Sequence, residues 1–310
     1  MGPGLSARRW ACRRPRTISA RLASARRELE DERLLGPIRE VHRANYECYG
    51  YLRVWHELRR RGVQVGRDRV ARLMRSDGLR GAKRRGRPPQ TTERDQAAPK
   101  RPDLVERQFV ASAPNELWVA DLTLVRCWEL ALYLAFVIDV FSRMIVGWQL
   151  AAHMRTDMVA DALKMAIAIR GPGTWVGLVH HSDHGSQYTS LAYTQTLSDL
   201  GVQQSLGSLG DALDNALAES WVDSLKTELI ANRVWRTRSQ LEIAIVEYIG
   251  WFNHARLHSS LGYLPPAEHE ARHRASQRDR ARTATNLIAG RQAPAGLSAL
   301  RLENSRSIEQ

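Results

Sequence analysis

The rhythm of apolar positions changes along the chain. Over 18–79 they recur at three- and four-residue spacing among many charges, which predicts helices. In YGYLRVWHELRRRGVQVGRDRVARLMRSDGLRG, one amphipathic helix over 51–61 ends near Gly62. A short turn runs through Gly66, and a second helix over 67–76 ends at Gly78. Helix, Gly-containing turn and Arg-rich second helix is the pattern of a helix-turn-helix reader of DNA. It is equally the pattern of helical pairs that never meet DNA, so periodicity leaves both readings open. On the DNA reading, Arg67, Arg69, Arg72 and Arg75 of the second helix are the candidate contacts.

Beyond this point the apolar rhythm stops. AKRRGRPPQTTERDQAAPKRPD, over 82–103, is rich in Arg, Lys and Pro, a linker composition. Arg84 and Arg85 in its RRGRPP stretch are candidates for phosphate or minor-groove contact, against the alternative of a solvated tether. Then LWVADLTLVRC, ALYLAFVIDV and MIVGWQLAAH read as three successive strands, an antiparallel meander. TDMVADALKMAIAIR follows as an amphipathic helix with Thr156 or Asp157 as its cap. WVGLVHHSD is a strand, LAYTQTLSDLG a helix and VQQSLGS a short strand. DNALAESWVDSLKTELI is a helix capped near Asp214 or Asn215, and SQLEIAIVEYIGWFNHARLH is the last long helix.

The order βββ, α, β, α, β, α predicts a ribonuclease H-like α/β core, a mixed five-stranded sheet flanked by helices. The expected organisation is a helical region over 1–81, a basic Pro-rich linker over 82–110, the core over 111–270 and a basic, partly disordered tail over 271–310.

Charge sharpens this division. The net charge is +13. Residues 1–110 carry 28 Lys/Arg against 13 Asp/Glu, whereas residues 111–270 carry 10 against 17. A basic front on an acidic core suggests a polyanion-binding arm and a separate site with another task. A merely solubilising charge excess explains the total as well. Three widely spaced cysteines, Cys12, Cys48 and Cys127, argue against a disulfide framework and for a reducing compartment. No apolar run approaches the ~20 residues of a membrane span, and the basic N-terminus lacks the apolar core of a secretory signal. A cytoplasmic protein, on the nucleoid when bound to DNA, is expected.

Three acidic residues stand where acids are costly or exposed to use. Asp121 lies inside the apolar run LWVADLTLV, where a charge needs a counter-ion or a metal. Asp183 ends the strand LVHHSD before a Gly turn. Glu219 sits on the helix DNALAES and shares a face with Asn215 and Lys226, four residues before it and seven after. Two-metal phosphoryl transfer needs such carboxylates converging around ions ~3.5–4 Å apart. Each also has an ordinary reading, as an ion pair, a turn and an exposed helical Glu. Asp139 and Asp214 read better as a turn anchor and a cap. His180 and His181 alternate on a strand and face opposite ways, which suits packing better than joint ligation. Trp118, Trp148, Trp221 and Trp251 read as core.

Residues 114–153, HHSDHGSQYTS (180–190), SLGDALDNALAESWVDSLKTEL (208–229) and WFNHARLHSSLGYLPPAEHE (251–270) resemble the catalytic core of retroviral-integrase-like transposases. The match is strongest to the OrfB products of insertion sequence family three, whose helix-turn-helix segment residues 37–87 also resemble. The family's W-x-x-D-x-T, H-S-D-x-G-x-Q-Y and D-N-A-x-x-E motifs fall on Asp121, Asp183 and Glu219, with 35 residues between the last two. His184 stands where the family more often has Arg, and Leu52 where a basic residue is usual.

The resemblance implies a transposase using two Mg²⁺ (or Mn²⁺) ions to cleave 3′ ends and transfer them. The ions would lower the pKa of the attacking hydroxyl and steady the leaving oxygen. It implies Lys226 and Asn215 as DNA contacts near the site, and double-stranded DNA, both element ends and target, as partner. Self-association and an upstream OrfA product are further implied partners. A DNA-binding protein without catalysis and a metal-dependent nuclease that transfers nothing are the rival readings.

Overall fold

A computed structural model describes residues 18–83, 105, 109–207, 216–231 and 233–291. Its contacts divide the chain into two compact units that do not follow chain order. One holds Met1–Glu93, Val125–Ala131 and Glu219–Tyr248; the other holds Arg94–Leu124, Leu132–Ala218 and Ile249–Gln310.

In the first unit α1 (Ile18–Ala44), α2 (Tyr51–Arg60) and α3 (Arg67–Ser76) pack together. The apolar spacing dictates the buried faces: Val54 and Leu58 of α2 meet Val70, Leu73 and Met74 of α3 in a common interior with Ile38 and Val41. Gly62 and Gly78 end their helices at φ of 81° and 75°, a conformation that favours glycine. The Trp55 indole donates to the Val65 carbonyl at 2.9 Å and pins the turn between α2 and α3.

The same unit takes in most of α7 (Ala216–Leu225), a π-helical turn (Lys226–Ile230) and most of α8 (Arg238–His254). Buried Glu228 accepts from the Tyr248 hydroxyl at 2.8 Å and faces Arg53 of α2 at 3.8 Å. The strand-hairpin tip at Trp128 joins through its N–H to the Trp235 carbonyl, 2.9 Å. Sequence order placed α7 and α8 with the sheet; side-chain packing groups them with the N-terminal helices.

The second unit is built on a five-stranded sheet of order β3-β2-β1-β4-β5: β1 (Leu117–Arg126), β2 (Ala131–Asp139), β3 (Ile145–Ala151), β4 (Val179–Ser182) and β5 (Gln203–Leu206). The first three form the expected meander. β1 and β2 are neighbours joined by a tight turn closed by Cys127 N–H to Leu130 O at 3.1 Å, and β2 pairs β3 antiparallel. β4 runs parallel to both β1 and β5. This is the mixed ribonuclease H-like sheet that the element order predicts.

α4 (Thr156–Arg170) covers one face with Met158, Val159, Leu163 and Ala166. It lies so close that a Cβ on Gly147 of β3 would come 2.1 Å from the Ala162 carbonyl oxygen. α5 (Ser186–Thr189) and α6 (Leu191–Asp199) extend the cover, with Tyr188, Tyr193 and Leu197 buried. Neither Thr156 nor Asp157 caps α4. The cap position is Arg155, without a side-chain bond, and the Asp157 carboxylate turns instead to the Met158 N–H at 2.8 Å. Arg155 has the extended backbone of a cap residue and Thr156 is already helical, so the helix starts one residue earlier than a Thr156 cap requires.

α9 (Pro266–Arg291) is a continuous helix where partial disorder is the sequence expectation from 271 onward. Residues 292–310 lie outside the described ones. Its first turn is locked to the sheet: Glu270 receives both terminal nitrogens of Arg170 at 2.7 Å, and Arg170 also reaches Asp139 at 3.3 Å. All three groups are buried, so the arginine neutralises two carboxylates that burial alone would penalise.

Candidate active site

The β1–β4 ladder pairs Leu117 with Val179, Trp118 with His180 and Val119 with His181. Asp121 on β1 and Asp183, one position past the end of β4, each lie two residues beyond the last pair, at the same end of the ladder. Parallel pairing thus sets side by side two carboxylates far apart in sequence. Both are half-buried. Asp183 Oδ1 accepts the Gly185 N–H at 3.0 Å, closing the turn into α5. Asp121 Oδ1 accepts the N–H of Leu122 at 2.7 Å.

Burial raises the Asp183 pKa above the ordinary carboxylate value, against the Gly185 hydrogen bond and the nearby His184 and His181. The carboxylate is therefore short of positive charge. Tyr188, on α5, is buried, and its hydroxyl has no hydrogen-bond partner. Burial raises its pKa well above normal, and Tyr193, Asp121 and Asp183 add to that. The hydroxyl is within electrostatic reach of both acids. Tyr188 lies within the HHSDHGSQYTS stretch, but no role for it follows from the sequence. An aromatic residue five positions after a candidate ligand was the available signal.

The two histidines face opposite sides, as alternation predicts. His180 Nε2 meets the Tyr193 hydroxyl at 3.0 Å, and His181 Nδ1 meets the Ser205 hydroxyl at 3.0 Å with Phe109 edge-on. Burial first, then the neighbouring His181, lowers the His180 pKa to about 4. Both imidazoles are packed in the interior. Asp139 is the turn anchor expected of it: fully buried, it accepts from Asn115 N–H, Ser142 N–H and Ser142 hydroxyl at 2.7, 2.9 and 3.0 Å.

Glu219 belongs to the other compact unit. It stands exposed in the first turn of α7, where a carboxylate complements the helix dipole. Ala218, Trp221, Leu225 and Leu229 form the buried face of this helical stretch, which leaves Glu219 and half-buried Lys226 off it. The shared face of Glu219 and Lys226 is thereby explained. Lys226 opens the π-helical turn, closed by Ala231 N–H to Lys226 O at 2.8 Å, a widening that nothing in the sequence signals. Asn215 and Asp214 lie outside the described residues, as do Arg84 and Arg85. Among the described residues, no group of three or more His, Cys, Asp or Glu is arranged to hold a metal.

Of the helix-turn-helix arginines, Arg69 and Arg72 bind Asp31 of α1 at 2.8 and 2.7 Å. Arg67 lies beside Asp68 at 3.4 Å, and Arg75 is exposed. Arg69 and Arg72 thus hold α3 to α1, while Arg67, Arg72 and Arg75 are all exposed to solvent. The Trp readings divide: Trp118 and Trp221 are core, while Trp148 and Trp251 are half-buried.

Comparison with known proteins bears on the whole arrangement. Residues 111–212 and 200–266 match two Integrase core domain families, and residues 28–87 match an HTH-like domain family. The transposase described for insertion sequence element IS986/IS6110 of Mycobacterium tuberculosis is 45% identical over 251 residues, covering 80% of this chain and 90% of its own. The transposase for IS629 of Shigella sonnei is 44% identical, covering 81% and 83%. Transposase InsF for IS3A of Escherichia coli K12 is 35% identical, covering 72% and 76%. Among solved structures, the HTLV-2 integrase catalytic core in complex with magnesium aligns at a TM-score of 0.40 and 15% identity, over 52% of this chain and 99% of that one.

An integrase core behind a helix-turn-helix-like domain defines a polynucleotidyl transferase of the DDE class, an enzyme that cuts and rejoins DNA. The chain belongs to the insertion-sequence transposases of family three. No helix among the described residues is long and apolar enough to cross a membrane.

Proposed function

We propose that Asp121, Asp183 and Glu219 bind two divalent ions, Mg²⁺ or Mn²⁺, with which this transposase cleaves the 3′ ends of its element and joins them to DNA. The observation that carries the proposal is the parallel pairing of β1 with β4, which brings Asp121 and Asp183 to the same end of the ladder. Two carboxylates at one end of neighbouring strands, one penalised by burial and without an arginine or lysine ion pair among the described residues, near a buried hydroxyl without a hydrogen-bond partner among them, fit a hard cation with oxygen ligands. Glu219 joins them on the strength of its motif and the 35-residue spacing. When bound, the ions supply charge neutralisation at the attacking and leaving oxygens.

The protein's own groups do the positioning. β1 and β4 hold two ligands on hydrogen-bonded backbone, which limits their drift. Lys226 and Asn215 contact DNA phosphate beside Glu219. Arg67, Arg69, Arg72, Arg75, Arg84 and Arg85 bind DNA in the front of the chain; for Arg69 and Arg72 this requires sharing with Asp31. The working division is a DNA-binding region over 1–81, a linker over 82–110, the catalytic core over 111–270 and a basic tail from 271. Two copies bringing element ends together, an upstream OrfA product and a place on the nucleoid complete the reading.

The test is substitution of each ligand: Asp121→Asn, Asp183→Asn and Glu219→Gln. Each is expected to abolish strand cleavage and joining in Mg²⁺ while leaving binding to end-sequence DNA within about threefold, since no phosphate contact is removed. Normal joining by any one of them removes that residue from the site.

A further inference from the structure

Beyond the turn that anchors it, α9 carries Arg272, Arg274, Arg278, Arg280 and Arg282 against a single acid, Asp279, over 271–282. Apart from half-buried His273, every residue of that stretch is exposed. No apolar stripe interrupts it, so nothing in its sequence asks for burial against protein. Arg274, Arg278 and Arg282 stand four residues apart and share one side of the helix. Like charges at that spacing repel, and an isolated helix gains nothing from them.

The ion pairs thin out along the helix. Arg272 is paired with Glu268 at 2.7 Å. Arg274 meets Glu270 Oε2 at 3.4 Å, an oxygen that already accepts from Arg170 at 2.7 Å. Among the described residues, Arg278, Arg280 and Arg282 have no ion pair. At the root the helix is fastened rigidly: the Arg170–Glu270 fork, Arg170 to Asp139, and Phe141 between the rings of His269 and His273 at 4.8 Å each. A cationic rod thus leaves the sheet-bearing unit in a fixed direction.

We propose that this stretch of α9 is a phosphate-binding arm that tracks the backbone of duplex DNA as it approaches the integrase core. The occupant follows from charge. Residues 111–270, which carry the candidate carboxylates, hold 10 Lys/Arg against 17 Asp/Glu and repel a polyanion. A basic element rooted in the unit that carries Asp121 and Asp183 offsets that repulsion. The 12 residues from Ala271 to Arg282 span about 18 Å, roughly half a turn of duplex, enough for several phosphates on one strand. Arginine on a regular helix reads phosphate position rather than base sequence, so the arm contributes affinity and orientation, not recognition of the element ends. The proposal rests on the reading of the chain as a DNA-acting enzyme and assigns a surface that the three carboxylates do not require.

The experiment is a salt titration of the full-length protein on a 30-base-pair duplex of arbitrary sequence, followed by fluorescence anisotropy. Arg278→Ala/Arg282→Ala removes two cations without an ion pair and keeps a good helix former at both positions. The slope of log K against log[salt] is expected to fall by about 1.8 and affinity near 0.1 M salt by at least tenfold. Arg278→Lys/Arg282→Lys keeps the charge and is expected to restore both. An unchanged slope in the alanine variant, with wild-type helix content by circular dichroism, overturns the arm. If the alanine variant loses helix content, Arg278→Gln/Arg282→Gln decides the matter on the same slope. A wild-type protein that shows no salt-dependent duplex binding would instead sink the DNA reading as a whole, so the two failures are distinguishable.

Discussion

Asp121 and Asp183 are held very differently from Glu219. The first two owe their proximity to a parallel ladder, in which each backbone hydrogen bond fixes the level of one strand against the next. Glu219 stands exposed on a helix that belongs to the other compact unit and passes into a π-helical turn seven residues later. A ladder specifies position to within one residue, because a slip would turn every side chain to the wrong face. A helix face specifies direction, but its placement depends on whatever packs behind it. On the proposed site, Asp121 and Asp183 are therefore the standing half, held by the β1–β4 pairing, and Glu219 is the half whose placement that pairing does not fix.

Four outcomes would break or sharpen that comparison, beginning with the one tied to complete loss of strand joining. If the strand pair is the standing half, saturating Mg²⁺ or Mn²⁺ at about 100 times its dissociation constant should stabilise the wild-type protein by about 2.7 kcal/mol in thermal melts. Asp121→Asn and Asp183→Asn should lose all of that, while Glu219→Gln keeps part. Equal losses in all three variants would show that the halves do not differ. This comes on top of the complete loss of strand joining expected for each.

Gly147→Ala attacks the platform itself. A methyl group 2.1 Å from the Ala162 carbonyl must push α4 off the sheet. The cost should be about 3 kcal/mol, read from urea unfolding. A change below 1 kcal/mol would mean that α4 gives way easily and that the sheet is not rigidly backed.

His180 is the neighbour whose titration should be visible. Its folded pKa is lowered to about 4 from 6.5, so the folded protein refuses a proton that the unfolded chain accepts. Its contribution to stability is whole above pH 6.5 and lost as pH falls towards about 4. The loss is on the order of 3 kcal/mol, and His180→Gln should flatten it. An unchanged pH profile in that variant would place the acid sensitivity elsewhere. Asp183 acts the other way: its raised pKa makes the metal-free fold relatively more stable as pH falls from above that value towards the ordinary 3.8.

The smallest effect is that of Tyr188→Phe. Removing a buried hydroxyl without a partner should stabilise the metal-free protein by about 1 kcal/mol. Destabilisation instead would show that the hydroxyl has found a partner, the nearby carboxylates being the candidates.

Much of this was legible in the chain. The helix-turn-helix pair was predicted as 51–61 and 67–76 and is found as Tyr51–Arg60 and Arg67–Ser76, because Gly62 and Gly78 mark both ends. The alternation of His180 and His181 followed from two-residue periodicity alone. The α4 cap was missed because Thr156 and Asp157 are both good capping types, and residue identity does not say which backbone turns first. The helix over 271–291 was missed because it has no apolar periodicity: it is fastened by Glu270 at its root and solvated elsewhere. The roles of Arg69 and Arg72 were beyond sequence too, since Asp31 lies 38 and 41 residues away from them.

What the sequence determined by itself is local or repetitive: element type, turn positions, the charge asymmetry between front and core, and the motif spacing that marks three acids. What only the tertiary structure decided is which distant side chains share a neighbourhood. Asp121 beside Asp183, Arg170 between Asp139 and Glu270, and Glu228 with Tyr248 depend on ladder register and helix packing. These are set by the summed burial of many residues, and no short stretch of chain encodes them.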